Sequence, residues 1–157
     1  MRDEACHFLL STNKAYLRTK NASIGRIKRK PILDRELWVL RVTADIENVP
    51  IMRPRVKWVA NMHGDESVGR ELTIQMAQYL TQSYLTNSTI STFLQEIDLH
   101  LMPSLNPDGF EKSTEGKCET SWRNNANRVD LNRNFPDQYR DKKWDSERKG
   151  HLVFKLL

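Results

Sequence analysis

Between Arg55 and Leu80 the apolar period of the chain changes from two residues to four across one short turn. Val56, Trp58, Ala60 and Met62 alternate along one face of a strand. Val68, Leu72, Met76 and Leu80 then recur every four residues, with Tyr79 close to the same stripe, which is a helical period. A strand that runs directly into an amphipathic helix restricts the fold, because the helix has to return and cover the sheet. The turn between them reads His63-Gly64-Asp65-Glu66. A His and a Glu three residues apart at such a turn can aim an imidazole nitrogen and a carboxylate oxygen at one point, as two ligands of a divalent metal must. Asp65 and Glu66 also complement the positive end of the helix, and Met76 and Tyr79 read as core filling.

Other segments agree with an α/β layer. Leu37–Val42 is an apolar, partly β-branched run that reads as a buried strand. The stretch from Ala44 to Pro54, with Asn48, Pro50 and Pro54, breaks regular structure. Asn87–Gln95 reads as a loop and a short helical turn. Ile97, Leu99 and Leu101 alternate with Asp98 and His100, giving a strand of unequal faces, and Asn106-Pro107-Asp108-Gly109 closes it as a turn. Strands alternating with helices predict a mixed β-sheet flanked by helices, with the site at strand carboxyl ends.

Composition narrows the function classes. The 157 residues suffice for one domain, and 38% hydrophobic with 29% charged residues is ordinary for a globular protein. The formal charge of +5 includes a basic run of Lys14, Arg18, Lys20, Arg26, Lys28, Arg29 and Lys30. With no recognisable nucleic-acid motif beside it, that run reads as a solvated face, and a nucleic-acid partner is not expected. No segment approaches the roughly 18 apolar residues of a membrane span, and the opening lacks the apolar stretch of a signal peptide. Cys6 and Cys118 allow at most one intramolecular disulfide, so the redox compartment stays open. Two sequons, at Asn21 and Asn87, fit a secretory route. The charged stretch from Arg140 to Lys149 reads as a surface loop.

Three further segments follow in order: PSLNPDGFE from Pro103 to Glu111, SWRNN from Ser121 to Asn125, and VDLNRNFPDQ from Val129 to Gln138. Together with His63-x-x-Glu66 they resemble the zinc metallocarboxypeptidases, specifically the N/E subfamily that includes carboxypeptidases D, E, M and N, over roughly residues 22–139. The resemblance implies a truncated zinc-carboxypeptidase-like fold with 1–157 as a single, partial catalytic domain. It implies Zn²⁺ held by His63 and Glu66, with Arg123 stabilising charge on the scissile carbonyl. Asn132 and Arg133 would bind the terminal carboxylate of a peptide or protein, since a guanidinium holds a carboxylate through two parallel hydrogen bonds.

The family's second zinc histidine, its substrate-capping tyrosine, its catalytic glutamate and the acidic residue behind a preference for terminal Lys or Arg all align further along than residue 157. His100, within a strand, and His151, without the usual neighbouring motif, are rejected as the third ligand. The activity implied for the whole enzyme is removal of one carboxyl-terminal residue, basic by the family's pattern, in the secretory pathway; this chain alone is expected to be inactive. The alternative from another class is a non-catalytic module that keeps the carboxylate pocket and recognises peptide ends without cutting them. Binding of DNA or RNA through the basic run ranks last.

Overall fold

The structure is a computed structural model and describes residues 22–27, 35–117 and 119–135. Its centre is a four-stranded mixed sheet in the order β1-β2-β4-β3, formed by β1 (Ala22–Ile27), β2 (Leu37–Val42), β3 (Arg55–Val59) and β4 (Asp98–Met102). β1 pairs antiparallel with β2, β2 antiparallel with β4, and β3 parallel with β4. The parallel pair needs a crossover, which two helices supply: α1 (Ser67–Ser83) and α2 (Ser88–Glu96). The expected α/β fold is therefore present; β1 is an element the sequence reading left without assignment.

Register sorts the two faces. Leu40 and Val42 lie opposite Leu101 and Leu99, and these four join Ala77, Leu80 and Leu94 in one buried cluster beneath α1 and α2. The other face, near the end of β4, buries Leu37 and Met102 against Leu105 and Leu131. Each cluster removes apolar surface from water, at roughly 25 cal/mol per Å².

Several local expectations are corrected. The buried face of α1 is Arg70, Thr73, Ile74, Ala77 and Leu80, so the four-residue stripe is rotated. Val68 is 71% exposed, Leu72 59% and Tyr79 54%. Met76 does pack partly against the core, whereas Tyr79 does not fill it. The strand read as Arg55–Met62 ends at Val59, and its Val56 and Trp58 stand on the helix-covered face but beyond the reach of the helices, Trp58 being 54% exposed.

Asn87 N-caps a nine-residue helix rather than a loop, its side chain accepting from the backbone of Thr89 and Ile90. Asn106-Pro107-Asp108-Gly109 is likewise a helix start: Asn106 caps α3 (Pro107–Lys112), with Pro107 in the first turn where its missing N–H costs nothing. In β4 the polar positions do not all face water. Asp98 is fully buried, held by the Arg41 guanidinium through bonds of 2.7 and 2.9 Å, with His100 Nε2 at 3.2 Å and Arg55 Nε at 3.6 Å. Burial pushes the Asp98 carboxyl up, but the Arg41 and His100 hydrogen bonds and charges outweigh it and hold the group below the usual carboxylate range. The basic run apart from Arg26, both cysteines, Asn21, His151 and the stretch 140–149 lie outside the described residues.

Candidate metal and peptide-end site

The site forms where β3 and β4 end. The two segments leave the sheet side by side and stay hydrogen-bonded past the last strand pair, with the Leu105 N–H donating to Ala60 O and the Asn106 N–H to Asn61 O. His63 and Glu66 then lie in the turn that leads into α1. His63 Nδ1 and Glu66 Oε1 are 2.8 Å apart. Glu66 occupies the N-cap position of α1 without a capping bond from its side chain, because the carboxylate turns to the imidazole.

His63 is buried and its other ring nitrogen faces a second carboxylate, Nε2 lying 3.2 Å from Asp130 Oδ1. Arg123 Nε donates to Asp130 Oδ2 at 3.0 Å, and Arg123 Nη1 lies 3.8 Å from Glu66 Oε1. Burial raises the Asp130 carboxyl, yet the Arg123 hydrogen bond, the Asn132 N–H and the nearby His63 and Arg123 charges bring it below its ordinary value. Asp130 also starts the 3-10 turn Leu131–Arg133, accepting from the Asn132 N–H at 2.8 Å. Asn132 and Arg133 are both exposed on that turn, and the Arg133 Nη1 donates to Asn132 O at 3.2 Å.

Two glycines make this assembly sterically possible. A β-carbon on Gly64 would lie 2.1 Å from the carbonyl carbon of Gly109. One on Gly109 would lie 2.6 Å from Trp122 O and 2.7 Å from Asn124 O. The first motif thus packs on the second, and the second on α4 (Thr120–Arg123), which Asn106 Nδ2 also reaches through a bond to Arg123 O. Asp130 links the fourth motif to both the first and the third.

His63, Glu66 and Arg123 are therefore brought together, while Asn132 and Arg133 follow Asp130 on the adjoining turn. His100 belongs to the Asp98 cluster on the sheet instead. Sequence reasoning missed Asp130, although a carboxylate opening the Asp-Leu-Asn-Arg stretch was the available signal. It also missed Asn61, two residues before His63. Chemically, a buried imidazole with one ring nitrogen fixed by a carboxylate and the other beside a second carboxylate is a donor pair suited to zinc. Among the described residues no group of three His, Cys, Asp or Glu is placed to hold a metal ion, so zinc at His63 and Glu66 needs a further ligand.

The zinc carboxypeptidase family profile matches residues 19–153. Carboxypeptidase D of Anas platyrhynchos is 44% identical over 122 residues, covering 77% of this chain and 8% of that protein. Carboxypeptidase M of Mus musculus is 45% identical over 111 residues, 70% of this chain and 25% of its own length. The catalytic chain of human carboxypeptidase N is 40% identical over 124 residues, 76% of this chain and 26% of its own. In fold the chain is similar to carboxypeptidase A from Helicoverpa armigera, with a TM-score of 0.67 at 23% identity, over 87% of this chain and 34% of that one. The chain thus spans about a quarter or less of these curated relatives. On the profile match and these identities, it belongs to the zinc carboxypeptidase family.

Proposed function

We propose that this chain supplies the first part of the active centre of a zinc-dependent carboxypeptidase, one that removes a single carboxyl-terminal residue, lysine or arginine, from peptides or proteins. The observation that carries the reading is the 2.8 Å approach of His63 Nδ1 to Glu66 Oε1, with His63 Nε2 turned to Asp130. His63 and Glu66 would hold the ion, and Asp130 would keep the imidazole in the tautomer whose free lone pair points to it. When bound, zinc supplies Lewis acidity to the scissile carbonyl and the attacking water.

The remaining roles fall to two arginines and an asparagine. Arg123, oriented by Asp130, would donate to the carbonyl oxygen as negative charge develops there. Asn132 and Arg133 would grip the substrate's terminal carboxylate, which restricts the activity to chain ends. In the secretory setting that the family resemblance implies, the Asn87 sequon would carry a glycan through Nδ2 while Oδ1 continues to cap α2. No helix among the described residues is long and apolar enough to cross a membrane.

A peptide ending in lysine and its carboxyl-terminal amide separate the readings. The free acid is expected to bind at least about tenfold tighter, as one charge-assisted bidentate pair would produce. Arg133→Ala should erase the difference; equal binding of acid and amide by the unaltered chain would remove Arg133 from the role. With the segment that supplies the third ligand joined to this chain, release of the terminal residue that a chelator stops would support catalysis. Chelator-insensitive binding without cleavage would support a recognition module instead.

A further inference from the structure

Asn61 stands at the exit of β3 with φ of 51° and is 4% exposed. Left-handed backbone is costly for most side chains but tolerated by Asn, so the position already favours this residue or glycine. Its amide does more than tolerate the turn. Nδ2 donates to His63 O at 2.8 Å, Gly64 O at 3.1 Å and Glu66 O at 3.1 Å. Those carbonyls belong to the turn that carries both proposed ligands. On the other side, the Ser104 hydroxyl donates to Asn61 Oδ1 at 2.6 Å, which fixes which end of the amide faces the turn. The Asn61 carbonyl accepts from the Asn106 N–H, tying the same residue to the β4 exit.

We propose that Asn61 is a positioning residue that presets the His63–Glu66 geometry for the metal, with Ser104 orienting its amide. This rests on the metal-site reading above. Without the amide, the carbonyls of the turn would pair with water and the turn would sample several shapes, of which few bring the two side chains together. Holding ligands in place before the ion arrives is the kind of support whose loss weakens metal affinity about 10- to 100-fold.

Three variants separate the amide from the backbone. Asn61→Gly keeps the left-handed conformation and removes only the side chain. Asn61→Asp keeps shape but turns a carboxylate oxygen toward carbonyl oxygens, and Ser104→Ala frees the amide to flip. Zinc dissociation constants by chelator competition on the chain joined to the segment that supplies the third ligand should weaken about 10- to 100-fold in Asn61→Gly, more in Asn61→Asp, and less in Ser104→Ala. Rapid amide hydrogen exchange at Glu66, whose N–H bonds His63 O, should accompany the loss in the zinc-free protein. A residue needed only for its backbone angle would leave Asn61→Gly at the original affinity and Glu66 exchange unchanged, and that result overturns the proposal. His63→Ala and Glu66→Ala serve as controls. If they reduce zinc binding and Asn61→Gly does not, only the role of Asn61 falls. If neither changes zinc binding, the metal site itself is wrong, whereas the exchange rate at Glu66 still decides whether Asn61 holds the turn.

Discussion

At the scale of single residues, the account depends on which partner each polar group meets after burial. His63 keeps both ring nitrogens facing carboxylates, and removing Asp130 would leave one of them without its orienting group. Asp130→Ala is expected to weaken zinc binding about 10- to 100-fold with the fold retained, measurable by the same chelator competition. Asp98 is a contrasting case, a buried carboxylate whose work is structural. Its folded-state affinity for protons is lower than that of the unfolded chain, so its contribution to stability is complete above about pH 4 and is lost as pH falls through the folded value. Arg41→Ala should cost about 3 kcal/mol at neutral pH, and the difference from the original chain should shrink in acid. Denaturant titrations at neutral and acidic pH check both; a deficit that grows in acid would contradict the assignment. Gly64→Ala tests close packing in a third way. The added methyl meets backbone rather than a mobile side chain, so it should destabilise by about 1–3 kcal/mol.

At the scale of elements, the helix α1 illustrates what a sequence can and cannot disclose. Its existence follows from the apolar spacing after Glu66, and the structure places it from Ser67 to Ser83. Its orientation does not follow, because the long apolar residues Val68, Leu72 and Tyr79 lie outward while Thr73, Ala77 and the buried Arg70 lie inward. Arg70 lies there with its guanidinium 4.1 Å from the centre of the Phe110 ring, a contact no single-helix pattern discloses. The consequence is testable by thermal melting. Leu72→Ser should change stability by no more than about 0.5 kcal/mol, while Leu80→Ala should cost about 2–5 kcal/mol. Asn87 and Asn106 show the same limit from the opposite direction. Both residue types suit turns and helix caps alike, and only the hydrogen bonds to following N–H groups decide for caps. For the site, the pairing of His63 with Glu66 was legible from spacing at a strand end. Asp130 offered only the carboxylate that opens Asp-Leu-Asn-Arg, its partner His63 lying 67 residues away, and Asn61 offered no signal, since it acts through backbone carbonyls that carry none.

For the molecule as a whole, the four motifs are held as one unit by glycine contacts and by the Asp130 bridge, all at the carboxyl ends of β3 and β4. That placement agrees with the general tendency of α/β sheets to gather their sites there. Among the described residues β3 is the last strand of the sheet, and its Val56 and Trp58 are exposed. An apolar strand edge of this kind invites pairing with another chain. Trp58→Thr is expected to lower self-association in light scattering without weakening zinc binding. The central claim is that His63 and Glu66 share one ion, and the most direct measurement is the zinc stoichiometry of this chain joined to the segment that supplies the third ligand, beside its His63→Ala and Glu66→Ala variants. One equivalent in the original chain that disappears in both variants is the predicted result; the same equivalent retained in either variant would contradict it.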